Sequence, residues 1–260
     1  MKQTNISIIV IFGEEEDVLE KALNSAVWAD ELILVAANTN EPSKKIAEKY
    51  SKNIIEIKDE YGKHFARWRN SGLKKAASDW VFYLDADEVI TPELKQSLLK
   101  IAAGKGVGEK YSYYAIPRIN YYLGQRVYHG GSYPDFVKRF FRRKKLLRWE
   151  GRLHERPVVV GMMGKLKDHL FHHTHRDLSS MMEKTIRWTQ LEAKALYEND
   201  HPPVVWWRIL RMMATKFFER VIKQRAWKDG TVGWINAIFE VFNTFIIYAR
   251  LWEIQQKNKF

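Results

Sequence analysis

Asp85-Ala86-Asp87-Glu88 puts three carboxylates into four residues, directly after the apolar run 80–84 (WVFYL). Alternation along an extended strand end predicts that Asp85 and Asp87 face the same side. Two carboxylates on one crevice suit a hard divalent cation that keeps waters and takes its other ligands from substrate phosphates. Such a cation neutralises charge on a leaving nucleoside diphosphate. An acidic surface turn has the same composition, so placement must separate the two readings. Placement straight after a strand in a β-α series favours the metal-diphosphate one.

Two acids further on are candidates for proton chemistry. Glu155 stands beside His154 in a basic, aromatic stretch, and Asp135 closes Ser132-Tyr133-Pro134-Asp135. Either can take a proton from an acceptor hydroxyl, and either can equally be a salt bridge to one of many nearby arginines. The run 138–145 (KRFFRRKK) interleaves two aromatics with six cations. It can read as a nucleic-acid patch, as arginine recognition of a phosphorylated sugar or lipid, or as a solvated basic strand. His169, His172, His173 and His175 are dense enough for a metal, but structural zinc sites usually include cysteine and the chain has none. Ordinary packing is the expected role of at least two of them.

The elements that must position these residues are legible in the first hundred positions. Segments 5–11, 31–36, 53–57 and 80–84 read as strands, and 17–27, 42–50 and 65–76 carry helical spacing, with a further helix from Thr91-Pro92-Glu93. Repeated β-α units of this length predict a parallel sheet with helices on both faces. Ligands gather at the carboxyl ends of such strands, so 12–16, 37–41, 58–64 and 85–88 should converge. From 111 to 164 short aromatic and β-branched runs broken by Gly and Pro predict added antiparallel strands and long loops.

The net charge of +12 is local. Residues 118–156 carry eleven Lys/Arg against three acids, and 201–230 carry seven against two, which leaves the rest of the chain close to neutral. That excess favours an anionic partner. The absence of cysteine excludes disulfides and suits a reducing cytosol. The start MKQTNISIIVIFGEEE reads as a buried first strand, because its apolar run is too short for a signal peptide.

Residues 66–88 (ARWRNSGLKKAASDWVFYLDADE) resemble the signature of family 2 glycosyltransferases with the GT-A fold. Residues 130–135 (GGSYPD), 139–143 (RFFRR), 153–155 (LHE), 171–178 (FHHTHRDL) and Asp229-Gly230 follow in the order of one bacterial branch. That branch adds glucose or heptose to the lipopolysaccharide inner core. The resemblance implies a Rossmann-like α/β domain with a mostly parallel sheet, a nucleotide-sugar donor, and Mg²⁺ or Mn²⁺. It implies a nucleoside at the strand ends near Ile11 and Ala36. One of Glu14, Glu15 and Glu16 can meet the ribose, or the three can be a solvated acidic helix start. Arg67 and Asn70 would lie near the diphosphate, Asp85 at donor and metal, Asp87 at the metal, and His172 would cap the metal or contact the diphosphate. Glu155 or Asp135 would be the base of an inverting transfer, and Arg139, Arg142, Arg143 and His154 would meet an anionic acceptor. The family pattern has a base-reading Asp where this chain has Ala36; Asn38 or Asn40 can offer hydrogen bonds there but no carboxylate. A non-catalytic lipid- or nucleic-acid-binding protein on the same fold, and transfer to a polyprenyl phosphate, are the competing readings; the family context disfavours nucleic acid.

The expected organisation is a catalytic domain over 1–200, with a nucleotide-sugar half (1–110) and an acceptor half (111–200). A helical membrane-associating region over 201–260 follows the break His201-Pro202-Pro203. Residues 204–227 form a basic amphipathic helix with Trp near both ends, suited to an anionic membrane interface. Residues 231–252 are more apolar, but Asn236, Glu240, Asn243 and Thr244 recur on one face, which predicts a second interfacial or docking helix rather than a span. The expected location is the inner face of the cytoplasmic membrane, held peripherally on its anionic surface.

Overall fold

The computed structural model describes residues 5–58, 64–105, 110–151 and 155–257, which fold as two compact units. The first takes in residues to Arg118 together with Asp135–His172, and the second Ile119–Pro134 with the chain from His173. The break at His201-Pro202-Pro203 lies inside the second unit.

The first unit is built on β1 (Ile6–Phe12), buried along its whole length. β1 lies parallel to both β2 (Glu31–Ala37) and β4 (Trp80–Asp85), and β3 (Ile54–Ile57) lies parallel to β2. The order runs β3-β2-β1-β4 and then continues through β8 (Asp135–Arg142), β6 (Tyr113–Tyr122), β12 (Leu170–His175) and β5 (Glu88–Ile90). Here the sheet changes character: β8 is antiparallel to β4 and β6, and β12 is antiparallel to β5. The expected parallel sheet is therefore its first half, and the expected antiparallel additions are its second. β9 (Leu146–Glu150) and β10 (Arg156–Val159) form a separate antiparallel ribbon.

Alternation on β1 explains the two cores. Ile6, Ile8, Val10 and Phe12 face a layer that includes Leu19 and Leu23 of α1 (Glu16–Asn24) and Leu94 and Leu98 of α4 (Pro92–Ala102). Ile9 and Ile11 face α3 (Phe65–Lys75), with Trp68, Tyr83 and Trp149. Successive strand residues point to opposite faces, so a run that is apolar at every position after Ser7 needs cover on both. Asn40 caps α2 (Glu41–Glu48) through Ser43 N, and Thr91 caps α4 through Leu94 N; short polar residues there satisfy free first-turn amides.

The second unit is mostly helical: α5 (Leu178–Glu198), α6 (Trp206–Phe217) with a π-helical continuation Phe218–Lys223, a 3₁₀ turn Ala226–Asp229, and α7 (Gly230–Lys257). Asp177 starts α5 with a capping box to Ser180. Ala193, Val204, Tyr248 and Leu251 form the core of these helices. β7 (Gln125–Val127) returns antiparallel on the end of β6.

Helix α3 approaches the sheet closely enough to exclude a side chain. A Cβ on Gly72 would lie 2.5 Å from Cγ2 of Ile9. A helical Gly→Ala change normally gains about 1 kcal/mol, whereas overpacking costs about 1–3 kcal/mol. Gly72→Ala should therefore lower stability by up to about 2 kcal/mol in urea unfolding. The double variant with Ile9→Ala should be less destabilised than the sum of the singles, and simple additivity would rule the contact out as the cause.

Candidate active site

β1 has β2 on one side and β4 on the other, so the chain leaves it in opposite directions. Crevices open at the carboxyl ends of strands where the order reverses in this way. The register pairs Ile11 with Asp85, which puts Asp85 beside the Phe12-Gly13 end of β1. The neighbouring lip is tied down: Thr39 Oγ1 donates to the Gly13 carbonyl at 2.7 Å, and Gly13 N donates to Glu15 at 2.6 Å. Asn38 ends β2 with φ at 52°, a left-handed conformation that Asn tolerates better than most residues. Its amide donates to Ile57 O.

Asp85 is held from both oxygens. Oδ1 accepts from Arg69 Nη2 at 3.1 Å, and Oδ2 accepts from Arg139 Nη2. The same Arg139 nitrogen donates to Glu88 Oε1 at 2.7 Å, and Arg118 Nη1 donates to that oxygen at 3.1 Å. Arg118 also grips Asp135 Oδ2 with Nε at 2.9 Å and Nη2 at 2.7 Å. Arg69 Nε donates to Glu155 Oε1 at 3.0 Å. Three guanidiniums thus join four carboxylates in one network. Glu88 is 0% exposed and Arg139 5%, so each charge depends on its partners for the solvation it has lost.

Local sequence explains how an arginine reaches this position. Tyr114 pairs with Phe140 and Ala115 with Lys138, so Arg139 is the extra residue of a β-bulge. A bulge re-aims one side chain without ending the strand. Arg69 lies on the buried face of α3, with its guanidinium 4.8 Å from the Trp149 ring and 5.5 Å from the Tyr83 ring. Nη1 of Arg69 and Nε of Arg139 are buried donors with no acceptor among the described residues, which leaves capacity for a water or substrate oxygen.

The electrostatics follow from this arrangement. Burial alone would raise the Asp85 carboxyl, but the guanidiniums of Arg139, Arg69 and Arg118 outweigh it and hold the group well below the usual carboxylate range. Burial opposes the charge on Arg139, and Asp85 and Glu88 more than restore it. Burial also pushes the Tyr83 hydroxyl upward; it donates to Arg69 O at 3.2 Å and stays neutral.

Asp87 has different surroundings. Ala86 and Asp87 form a turn between β4 and β5, so strand alternation does not reach Asp87, and the expectation that it shares a side with Asp85 by that rule is corrected. Its Oδ2 lies 3.4 Å from His172 Nε2. A metal would fit this pair. Among the described residues no group of three or more such ligands gathers, but a carboxylate and an imidazole suit a cation that completes its shell from phosphate and water.

Other expected site residues take varied positions. Arg139, expected to meet an acceptor anion, is instead an internal counter-charge. Phe140 and Phe141 are 0% exposed, so the run around them offers no stacking surface for bases. Arg142 lies over Trp80 at 4.7 Å and donates to Tyr111 O, and Arg143 donates to Ala76 O. Both ends of the Asn70 amide bond the Trp149 backbone, at 2.9 and 2.8 Å, joining α3 to β9. The Ile11 side chain is in the core, while Glu14 and Arg67 are exposed. His154 and residues 59–63 lie outside the described residues. Sequence reasoning missed Arg69, Glu88 and Arg118. The signal for Arg118 was its place as the lone charge in an apolar strand, where a charge must be paired.

A half-parallel sheet in which β4, beside the switch point, ends in an acidic turn is the architecture of a GT-A-type α/β domain. Residues 7–163 match the model for Glycosyl transferase family 2, and the chain belongs to that family. The chain is 28% identical over 152 residues to the SPbeta prophage-derived glycosyltransferase SunS of Bacillus subtilis, covering 58% of this chain and 34% of SunS. The chain thus spans about a third of that relative's length. It is 20% identical over 257 residues to the lipopolysaccharide core biosynthesis glycosyltransferase LpsC of Rhizobium meliloti, covering 95% of this chain and 92% of LpsC. Of solved structures, S. aureus TarS 1-349 in complex with UDP-GlcNAc aligns with a TM-score of 0.47 at 13% identity, over 97% of this chain and 92% of that one. That likeness is too distant to bear on donor or acceptor.

Removing Arg139 tests the network. Arg139→Gln leaves Glu88 and Asp85 short of a cation and should lower stability near pH 7 by about 3–5 kcal/mol in urea unfolding. Asp85 is depressed in the folded state, so its pairing contributes above the ordinary aspartate range and is lost as pH falls through and below it. The variant should therefore lose less stability than wild type between pH 5 and 3. Equal losses would place the acid-labile contribution elsewhere.

Proposed function

We propose that the protein is an inverting transferase that moves a sugar from a nucleotide-sugar donor to a hydroxyl of a lipid-linked or lipopolysaccharide-core glycan. The observation that carries this reading is Arg69. Its Nη2 holds Asp85 and its Nε holds Glu155, so one rigid guanidinium fixes a donor-side carboxylate and a candidate base together. The name of LpsC, matched over nearly its whole length, supports a lipopolysaccharide-core acceptor.

Asp87 and His172 would hold Mg²⁺ or Mn²⁺, which when bound supplies charge neutralisation for the leaving diphosphate. Asp85, fixed by two arginines, orients polar groups of the donor. Glu155 is the base we favour. Its Oε2 has no partner among the described residues, whereas Arg118 grips Asp135 through two nitrogens. The acceptor oxygen attacks the anomeric carbon, its proton passes to Glu155, and the nucleoside diphosphate leaves with the bonding electrons.

Two variants in one single-turnover assay test these roles. A positioned base contributes on the order of 10²–10⁴ in rate, so Glu155→Gln should slow transfer by that range and abolish the acidic limb of the pH profile. Asp87→Asn should remove the stimulation of donor hydrolysis by Mn²⁺ while the melting midpoint stays near wild type. An acidic limb that persists in Glu155→Gln but vanishes in Asp135→Asn moves the base to Asp135, and retained stimulation moves the metal.

The second unit supports peripheral attachment to the inner face of the cytoplasmic membrane. Trp206, Leu210, Phe218 and Ile222 are more than half exposed, among Arg208, Arg211, Lys216 and Lys223. On α7 the polar residues expected to mark a docking face turn inward: Asn236 and Thr244 are buried, and Asn243 accepts from Thr185 at 2.7 Å. Trp234, Ile238, Phe242, Phe245 and Trp252 face outward instead. The segment Ala226–Lys257 is long and apolar enough to cross a membrane by length and composition, with a third of its most apolar window buried. Exposed aromatics among cations suit an anionic interface. The protein should float with anionic vesicles, less so as salt rises. Flotation that survives Trp206→Ser with Phe218→Ser unchanged would count against this attachment.

A further inference from the structure

The second unit holds a histidine–aspartate pair that the chemistry above does not use. Asp229, in the 3₁₀ turn before α7, is nearly buried, with its side chain 6% exposed. Its Oδ2 accepts from Tyr128 N at 2.9 Å and His129 N at 2.7 Å, and its Oδ1 lies 2.7 Å from His129 Nδ1. The loop that carries His129 is fastened further along: Gly130 N donates to Gln224 O, and Arg220 Nη1 donates to Gly130 O at 2.6 Å. Close packing leaves little slack. A Cβ on Gly131 would lie 2.4 Å from Arg220 Nη1, and φ at Gly130 and Gly131 is 63° and 80°, where glycine is favoured.

This frame fixes one imidazole. A carboxylate at Nδ1 keeps the proton there and leaves Nε2 as the outward acceptor. No described residue bonds Nε2, and 36% of the His129 side chain is exposed. Tyr128 and Tyr133 flank it in sequence and meet edge to face at 5.8 Å, at 42% and 36% exposure. The structure thus presents aromatic faces, phenol tips and an oriented imidazole nitrogen on one short, rigid loop. Aromatic faces take the C–H surface of a sugar ring, and directed polar atoms take its hydroxyls.

We propose that the Asp229–His129 pair, with Tyr128 and Tyr133, is a sugar-binding subsite for the acceptor glycan, in which His129 Nε2 accepts a hydrogen bond from a ring hydroxyl. Asp229 is a positioning residue that acts through His129. The proposal rests on the reading of the chain as a transferase with a saccharide acceptor.

The test uses the full chain, with methyl α-D-glucopyranoside and methyl α-D-mannopyranoside as probes in saturation-transfer NMR titrations. The amide nitrogen of Asn occupies the place of the imidazole Nδ1 but offers nothing at Nε2. His129→Asn should therefore keep the bond to Asp229 and the melting midpoint, yet weaken binding of the glycoside roughly five- to tenfold, the worth of one hydrogen bond. Tyr133→Ala should reduce saturation transfer to the ring protons. Unchanged binding in His129→Asn, or no binding of either glycoside by wild type, overturns the proposal. Donor hydrolysis by wild type is measured in parallel to separate the two readings. Hydrolysis without glycoside binding sinks the subsite and leaves the transferase; glycoside binding lost in His129→Asn, with no hydrolysis of any donor, sinks the transferase and leaves the subsite.

Discussion

The first unit depends on one buried ionic contact, the Arg139 guanidinium set between Asp85 and Glu88. Two carboxylates three residues apart, one of them wholly buried, repel each other unless a cation lies between them. A cation there loses its water and is stable only when several acceptors surround it. The remaining contacts meet these two requirements. Arg118 shares Glu88 and turns to Asp135, while Arg69 shares Asp85 and turns to Glu155. The bulge in β8 and the buried face of α3 are the backbone features that bring the arginines in. Removing one charge leaves its buried partners short of a counter-charge, so the network is a constraint on the sequence more than a reserve of stability.

The same feature accounts for what the sequence could and could not reveal. β1, β2 and β4 are legible because strands covered on both faces are nearly continuous apolar runs, broken inside only by Ser7, and the caps Asn40 and Thr91 announce their helices. The turn at Ala86-Asp87 is local too, but a short acidic segment reads equally well as strand or turn. The arginines are harder because their meaning is non-local: Arg69 meets Glu155 across 86 positions, and Arg118 meets Glu88 across 30. Within 138–145, six cations look alike in sequence, yet a single inserted residue in the pairing sends Arg139 inward and leaves Lys138 exposed. Periodicity cannot locate a bulge, so a basic run hides its one buried member.

The C-terminal helices show a related ambiguity of direction. That α7 has a polar face was readable from the spacing of Asn236, Glu240, Asn243 and Thr244. Which way the face turns was not. In a helix on a water-soluble surface the polar face is outward; here Asn243 meets Thr185, and Glu240 pairs with Arg220 at 3.0 Å. Hydrogen bonding between helices by small polar residues, with aromatics outward, is a pattern that apolar surroundings favour. The direction of the polar face, and not the overall hydropathy, is what connects this unit to a lipid surface in the reading proposed above.

Charge balance makes an acidic strand end compatible with the anionic donor proposed above. Asp85, Glu88, Asp135 and Glu155 alone would set four negative charges around the crevice and repel a diphosphate. Arg69, Arg118 and Arg139 cancel three of them through direct contact, at separations where even a high effective dielectric leaves several kcal/mol of Coulomb energy per pair. Asp87 has the His172 imidazole beside it, at 3.4 Å. A histidine can yield its position to a metal by staying neutral, whereas an arginine keeps its charge and excludes the cation. In the reading proposed above, the two neighbouring aspartates therefore differ in role: Asp85 is locked by permanent charges, and Asp87 faces a partner that can give way to a cation.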